Sequence, residues 1–544
     1  MATNGDHGGP HRPARRRALE RLAAGAIAAL LPAARAAAPT MPADLCATPA
    51  RFDVPLPVPG REGLLGRLAV GGQAITLSAT ARAGGEPRLA YVARAEGRDY
   101  LNPTLVARTG ARVRIRLANR TTEPTVTHWH GFTIDTANDG NGESLVPAEA
   151  AFEYAFTVRN RAGLYWYHPH PHGTTASQVQ RGLLGLFAVE DDDEQALRRA
   201  LAIVPGDTEI PLILHDRRST APGAYNPSAR DLLRGWYGDE ALVNFTPRPY
   251  LDVAARRYRL RVLNGSNARI FRLGFARDDG GPVPFLLIGT DGGLLERPVS
   301  VSELFLAPAE RVDLLVDFTG LAVGGYALLE SRAFDPMHAE VSPGQGAEGS
   351  ADAAAHGMPT ASGDAMATSH SDGAAFALLQ FRVRERGEPA PAVPDRLSTL
   401  PRFPESTGDD RPLRLGFAKR RWRINDLVYD VGATPAVVVR NAVETWLIRN
   451  YHTSMPHAMH LHGFQFRVLE RETSPDQLAP LAVDARGRLA TDLGLKDTVL
   501  VWPGESVRIA IDFRHPFPGP QVYLFHCHNL EHEDGGMMLR VKVG

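Results

Sequence analysis

One strand-and-turn pattern occurs three times along the chain, and this repetition constrains the fold more than any other feature. An alternating apolar and polar stretch ends in asparagine at residues 113–119, 258–264 and 445–450. A Pro-Ala-Glu or Pro-Gly-Glu turn precedes another alternating stretch at residues 147–149, 308–310 and 503–505. Alternation with a period of two is typical of strands with one buried face. The pattern predicts three consecutive β-sandwich domains, at residues 50–195, 200–385 and 411–544.

The numbers of charged residues and cysteines limit which partners and cross-links the chain can have. The 544 residues include 60 Lys and Arg and 61 Asp and Glu, which gives a net charge of −1. Because positive and negative charges are nearly equal in number, nucleic acid is not expected as a partner. The two cysteines, Cys46 and Cys527, exclude a disulfide framework, although a single bridge between them remains possible.

The first 38 residues have the pattern of a targeting segment. Three arginines at 15–17 precede an Ala/Leu-rich run from Leu22 to Leu31, and alternating alanines from Ala34 to Ala38 offer cleavage sites. This arrangement predicts a signal peptide over residues 1–38, and the arginine cluster favours the twin-arginine export machinery. The mature chain is therefore expected to be exported, to the periplasm or the extracellular space, as a soluble monomer.

Two stretches interrupt the strand pattern. Residues 335–375 are rich in Gly, Ala and Ser and contain three Met and three His, which predicts a flexible insertion near the end of the second domain. Residues 386–410 are rich in Pro and charged residues. They predict a linker between the second and third domains.

Histidines cluster in the two outer repeats and are missing from the matching places of the middle one. Four pairs have His-X-His spacing: His128 and His130, His168 and His170, His460 and His462, His526 and His528. Because residues i and i+2 of a strand share a face, the members of each pair point together. Facing strands from the outer domains would bring eight imidazoles into one place, enough for three metal ions. Chance does not explain such a distribution.

The opposite face of the last histidine pair predicts a second metal site. Cys527 lies between the two histidines of that pair, so its side chain points away from theirs. On that side His457, His532 and Met537 complete a set of two His, one Cys and a weak axial Met. This is the ligand set of a blue-copper electron-transfer site. A zinc enzyme fits poorly, because one thiolate and an axial Met favour copper.

With these motifs the chain resembles the multicopper oxidases, which include laccases, bilirubin oxidases and bacterial copper-efflux oxidases. The resemblance covers the whole mature chain and implies an all-β fold of three consecutive cupredoxin-like Greek-key β-sandwich domains. It also implies four copper ions per chain: one of type 1, one of type 2 and two of type 3. The implied ligands are His457, Cys527, His532 and Met537 for type 1, His128 and His460 for type 2, His130, His168 and His528 for one type 3 copper, and His170, His462 and His526 for the other.

Two carboxylates are implied to take part in the reaction. Asp139 and Glu533 stand where the copper-efflux branch keeps acids near the copper cluster. Reduction of O₂ to two waters consumes four protons, which such acids would relay. Asp139 lies in an Asn-Asp-Gly stretch, which fits a plain turn equally well. Glu531 and Asp534 are expected to be solvated or to form local hydrogen bonds.

Two enzymatic functions remain open. The first is a laccase-like oxidation of phenols or aromatic amines, with electrons entering through a more exposed His532. The second is a cuprous oxidase for copper tolerance, because thioethers select Cu(I) and Met455 stands where the copper-efflux branch has a substrate-copper Met. Thr453 replaces the Asp of that branch and the insertion holds few Met, so the laccase-like activity is favoured. Copper-free relatives have structural or cell-division roles, but here no ligand is missing.

Overall fold

The computed structural model describes residues 52–60, 63–83, 87–338, 372–404, 406 and 408–544. The predicted signal peptide, Cys46 and most of the predicted insertion lie outside these ranges. Within them the chain consists mainly of strands with a few short helices, which confirms the all-β prediction. No helix in this described part is long and apolar enough to cross a membrane.

The N-terminal third forms two sheets. Its strands are β1 (Val54–Pro55), β2 (Gly63–Leu64), β3 (Arg67–Ala69), β4 (Ala74–Ala81), β5 (Leu89–Ala95), β6 (Arg98–Leu101), β7 (Thr104–Arg108), β8 (Arg112–Arg120), β9 (Thr127–His130), β10 (Ala151–Thr157), β11 (Gly163–Pro169) and β12 (Gly185–Glu190). One sheet has the order β10-β8-β4-β5-β6-β2 and the other β3-β7-β12-β11-β9. Its helices are α1 (Thr136–Asp139), α2 (Thr175–Gln180) and α3 (Asp192–Ala200).

The middle third forms two further sheets. Its strands are β13 (Glu209–Arg217), β14 (Glu240–Val243), β15 (Thr246–Pro247), β16 (Pro249–Ala255), β17 (Arg257–Asn264), β18 (Phe271–Arg277), β19 (Phe285–Thr290), β20 (Gly293–Val301), β21 (Glu303–Leu306), β22 (Arg311–Asp317), β23 (Tyr326–Ser331) and β24 (Phe376–Arg386), and its helix is α4 (Ala229–Arg234). The sheet orders are β1-β16-β24-β23-β18-β21 and β15-β14-β13-β17-β22-β19-β20. The short strand β1 therefore joins a sheet of the middle third.

The C-terminal third has the same two-sheet construction. Its strands are β25 (Arg411–Ala418), β26 (Arg421–Ile424), β27 (Ala436–Val438), β28 (Val443–Asn450), β29 (His457–Leu461), β30 (Phe466–Glu472), β31 (Thr498–Val501), β32 (Ser506–Asp512), β33 (Gln521–Cys527) and β34 (Met538–Val543). The orders are β26-β25-β28-β32-β30 and β27-β34-β33-β29-β31. Two 3₁₀ turns (Ala479–Leu481 and Ala490–Leu493) and helix α5 (Leu530–Asp534) complete this part.

The repeated asparagines explain why the three thirds fold alike. They lie on β8, β17 and β28, which pair antiparallel with the strands that follow the repeated turns, β10, β22 and β32. Each asparagine amide donates to two backbone carbonyls, at 2.7–3.1 Å: Asn119 to Glu123 and Val146, Asn264 to Arg269 and Leu306, Asn450 to Met455 and Val501. The same side chain therefore ties the same corner in every repeat.

Each third has its own apolar core. Trp129 and Phe187 lie in the first core, Phe271 and Phe381 in the second, and Trp446 in the third. The limits 50–195, 200–385 and 411–544 stay predictions. The described part of the predicted linker, beyond the end of β24, has no helix or strand.

Candidate metal centres

Four strands present the paired histidines: β9 and β11 in the N-terminal third, and β29 and β33 in the C-terminal third. In the sheet register His128 lies opposite His168, and His460 lies opposite His526. His130 lies two residues further along β9, and His170, His462 and His528 follow directly after the last residues of β11, β29 and β33. Extended backbone turns residues i and i+2 to the same face. All eight side chains are buried. The strand period therefore places two histidine pairs on each side of the boundary between the outer thirds.

The eight rings converge across that boundary, as the sequence predicts. The ring of His128 stacks on that of His462 with 3.8 Å between centroids, and a second stacked pair, His130 and His460, is separated by 3.7 Å. The His528 ring is 5.0 Å from that of His130. Three groups have ligand nitrogens within 4.8 Å of one another: His128 with His130 and His168, His128 with His460 and His462, and His170 with His462 and His526. We call these eight residues the histidine cluster.

Backbone carbonyls fix the tautomers of the cluster. The Nδ1 atoms of His128 and His460 donate to the carbonyls of Asp139 and Asp497 at 2.8 and 2.7 Å. A carbonyl only accepts, so Nδ1 carries the proton and Nε2 offers a lone pair. A hydrogen bond to one ring nitrogen in this way orients a metal-ligating histidine.

The unpaired nitrogens of the cluster fit bound cations. Nε2 of His128, Nε2 of His460 and both ring nitrogens of His170 and His528 have no hydrogen-bond partner among the described residues. The Nε2 atoms of His462 and His526 face each other at 3.0 Å, although both rings also have an acceptor near Nδ1. Buried nitrogens are seldom left without a partner, and two facing lone pairs repel. Metal ions would satisfy these atoms.

A second group surrounds Cys527. Its Sγ lies 3.5 Å from Nδ1 of His457 and 3.6 Å from Nδ1 of His532. The Cys527 backbone N–H donates to the Met537 carbonyl, and the Met537 N–H donates to the His532 carbonyl. These bonds bring Met537 next to Cys527 and His532. Burial raises the pKa of the Cys527 thiol to about 12, so a bound cation is needed to hold the thiolate at neutral pH.

The middle third covers this second group. The Leu233 carbonyl at the end of α4 accepts hydrogen bonds from His532 Nε2 at 2.9 Å and from Trp422 Nε1 at 2.7 Å. The Trp422 ring lies 4.7 Å from the His457 ring and 5.1 Å from the His532 ring, centroid to centroid. His532 and His457 both have 0% exposure, so the prediction of a more exposed His532 is wrong. Local sequence gave no sign that a distant helix packs here.

Asp139 and Glu533 both contact the histidine cluster. Asp139 is the last residue of the one-turn helix α1, and its Oδ2 lies 2.8 Å from His462 Nδ1. The residue therefore lies in a turn and beside the histidine cluster at the same time. Burial raises the pKa of Asp139 well above its usual range. Glu533 lies 3.4 Å from His170 Nε2 and 3.3 Å from His526 Nδ1. Burial would raise the pKa of Glu533, but the charge interaction with these histidines lowers it well below its usual range.

The sequence reasoning missed Asp497. Its Oδ1 lies 3.1 Å from His130 Nε2, and Arg311 binds the same carboxylate. The available signal was its place directly before β31, the strand that pairs with the histidine-bearing β29. No motif of histidines or cysteines includes it.

Two further acids were expected to be either solvated or locally hydrogen-bonded. Glu531 is buried and Asp534 is half-buried, and both carboxylates form local hydrogen bonds. Glu531 accepts hydrogen bonds from Tyr225, Trp236 and Asn267, and Asp534 accepts from the backbone of Thr175 and Ala176. They tie α5 to α2 and to the middle third.

Comparisons with known proteins identify the family. Two family profiles, both described as Multicopper oxidase, match residues 90–194 and 404–544. The bilirubin oxidase of Albifimbria verrucaria is 30% identical to this chain, over 80% of this chain and 70% of its own. The chain belongs to the multicopper oxidase family. The oxidase is therefore a copper-dependent oxidoreductase that uses O₂.

Two further relatives of this oxidase agree. A laccase of Bacillus subtilis is 31% identical, over 76% of this chain and 78% of its own. The crystal structure of the multicopper oxidase McoA from Aquifex aeolicus matches with a TM-score of 0.76 and 33% identity, over 90% of this chain and 99% of that one. These matches confirm the predicted cupredoxin-like fold.

The metal-free oxidase is expected to lose stability as the pH falls below about 6.5, the usual pKa of histidine. Burial lowers the pKa of His168 to about 3 and of His170 to about 4, and lowers that of His128 and His460 well below the usual value. The unfolded chain therefore binds protons that the folded chain does not, and the free energy of unfolding falls as the pH drops from about 6.5 towards 4. Each such histidine contributes up to about 1.4 kcal/mol per pH unit.

Urea unfolding of the metal-free protein at several pH values measures this slope. His128→Gln should flatten it, whereas His452→Gln, at an exposed position, should leave it unchanged. Equal slopes for His128→Gln and the unaltered protein would contradict the prediction.

Proposed function

We propose that this oxidase couples four one-electron oxidations of phenolic or aromatic amine donors to the reduction of one O₂ to two waters, as laccases do. The observation that supports this proposal is the position of Cys527 in the chain. Its side chain lies against His457 and His532, while its two sequence neighbours belong to the histidine cluster. A single tripeptide therefore joins the two groups. The relationship to the Bacillus subtilis laccase supports the same reaction class.

The proposal includes four copper ions per chain, with ligands assigned by the resemblance to the family. The proposed ligands are His457, Cys527, His532 and Met537 for type 1, His128 and His460 for type 2, His130, His168 and His528 for one type 3 ion, and His170, His462 and His526 for the other. All of these side chains are buried. When bound, copper supplies one-electron oxidation of a donor and multi-electron reduction of O₂.

The protein's own part in the chemistry is to move protons and to keep water out. Asp139, with its raised pKa, is suited to hold a proton beside His462, whereas Glu533, with its lowered pKa, stays ionised beside His170 and His526. Two acids whose surroundings shift their pKa values in opposite directions have different roles at one site. We propose both as proton-relay residues.

Trp422 and α4, which cover His532, determine which electron donors the oxidase accepts. A donor on the outer face of α4, where Leu232 is 51% exposed, would be separated from His532 by that helix and by the buried ring of Trp422. As a ligand of the type 1 copper, the weakly donating thioether of Met537 would lower the oxidising power of the site. The proposed donors are therefore easily oxidised phenols, such as methoxyphenols, and aromatic amines.

A cuprous oxidase for copper homeostasis is the second candidate, and one cavity favours it. His338 and Met455 line this cavity together with Tyr237. His338 Nε2 lies 2.9 Å from Asp372 Oδ2. Imidazole, carboxylate and thioether are all copper ligands. Met455 also lies two residues before His457 in the sequence. Cu(I) bound here would lie close to the type 1 ligands.

Parallel assays of O₂ consumption with a methoxyphenol and with Cu(I) separate the two functions. Met455→Leu removes a thioether from the cavity, and Met459→Leu makes the same change at a fully buried position outside it. We expect phenol oxidation by the unaltered protein and by both variants. If Cu(I) is a substrate at this cavity, Met455→Leu alone should lower that rate about tenfold or more. Cu(I) oxidation without phenol oxidation would refute the laccase-like function.

We also propose where the oxidase acts and that it acts as a single chain. The arginines at 15–17 support export by the twin-arginine machinery, to the periplasm or the extracellular space. A monomer is the proposed state.

A further inference from the structure

A double ion pair joins the middle and C-terminal thirds beside the histidine cluster. Glu310 and Arg311 are consecutive, and so are their partners Lys496 and Asp497. Lys496 Nζ lies 3.0 Å from Glu310 Oε1, while two Arg311 nitrogens contact the Asp497 carboxylate at 2.6 and 2.7 Å. All four side chains are buried. We call these four residues the clasp.

Arg311 uses its whole guanidinium group. Nε donates to the Leu164 carbonyl on β11 at 3.0 Å, so the side chain touches the N-terminal third as well. The terminal nitrogens donate to the carbonyls of Ala309 and Asp291, each at 3.0 Å, besides the two bonds to Asp497. Five donors in a planar fork therefore have five acceptors. A lysine has neither the number of donors nor this geometry.

The clasp reaches the histidine cluster through Asp497. Asp497 Oδ1 lies 3.1 Å from His130 Nε2, and the Asp497 carbonyl accepts the His460 Nδ1 proton at 2.7 Å. His130 thereby turns its Nδ1 towards His168, at 3.4 Å from that ring's Nε2.

The glycine that follows His130 makes room for this contact. A Cβ at Gly131 would lie 2.4 Å from Asp497 Oδ2 and 2.9 Å from Arg311 Nη2, and its φ of +84° also favours glycine. The His-X-His-Gly sequence of β9 is therefore shaped around the clasp as well as around the histidines.

We propose that Arg311 is a positioning residue for the three-copper site: by holding Asp497 it sets the ring orientations of His130 and His460. The middle third, which supplies no proposed ligand, thus takes part in building the site. This inference rests on the ligand roles given to His130 and His460 under the proposed function. Groups that hydrogen-bond to a metal ligand change metal affinity by roughly 10- to 100-fold when they are altered.

The test compares the two halves of the clasp in the copper-loaded, full-length protein. Arg311→Lys keeps the charge and loses the fork next to the histidines. Glu310→Gln, the matched control, weakens the half that touches no histidine. We measure copper per chain, copper retention against a chelator, the type 2 signal in electron paramagnetic resonance, and the blue absorption of the type 1 site.

Arg311→Lys should keep the blue absorption but change the type 2 signal and weaken copper retention about 10- to 100-fold, whereas Glu310→Gln should keep both properties. Equal retention and an unchanged type 2 signal in both variants would show that the clasp only docks the domains, and would overturn the inference. If Arg311→Lys does not fold, Asp497→Asn replaces it with the same expected and contrary results. An unaltered protein without a type 2 signal would instead refute the proposed function.

Discussion

Replacing Cys527 by serine is expected to abolish the intense blue absorption of the copper-loaded oxidase and to reduce its O₂ consumption to the level of a blank. The blue colour of such sites arises from the cysteine thiolate bound to copper, and a hydroxyl does not replace it. The thiol is fully buried between His457 and His532, and serine is close to it in volume. The fold should therefore survive while the site is lost.

Visible absorption, an oxygen electrode and circular dichroism measure colour, activity and fold in the same preparation. Cys46→Ser is the natural control, because Cys46 is the other cysteine of the chain and has no predicted role. It should leave colour and activity unchanged. A blue Cys527→Ser protein would refute the type 1 assignment.

Glu533→Gln is expected to lower the turnover number about 100-fold while the blue colour remains. Glu533 bridges two cluster histidines, and a glutamine at this position neither accepts nor releases a proton. His457, Cys527 and His532, which we call the Cys527 group, do not include Glu533, so the type 1 site should form normally.

The matched control for this variant is Glu531→Gln on the same helix. Glu531 is equally buried but bonds to Tyr225, Trp236 and Asn267 instead of the cluster. It should lower the thermal stability and change the turnover number little. Similar losses of turnover in the two variants would argue against a proton-relay role for Glu533.

The histidine cluster was predictable because it depends on local geometry. His-X-His spacing on a strand sets the direction of both side chains, and Cys527 between two such histidines must point the other way. The threefold strand-and-turn pattern was predictable for the same reason, since each asparagine ties a corner within its own repeat.

What the sequence did not reveal depends on contacts between distant parts of the chain. Asp497 meets a histidine 367 positions away, and the carbonyl of Leu233 meets His532 from 299 positions away. Neither contact leaves a periodic or compositional trace. The expectation of an exposed His532 failed because the residues next to it in the sequence do not indicate that α4 packs over its side chain.

The wide spacing of the histidine cluster along the chain has a consequence for biosynthesis. One half of it lies at residues 128–170 and the other at 460–528, with the entire middle third between them. Neither the cluster nor the Cys527 group can be complete before the ribosome has made the C-terminal strands. Until then, His128 and His130 lack the rings of His462 and His460 that stack on them. Binding of the full set of copper ions is therefore expected only after the whole chain has been made.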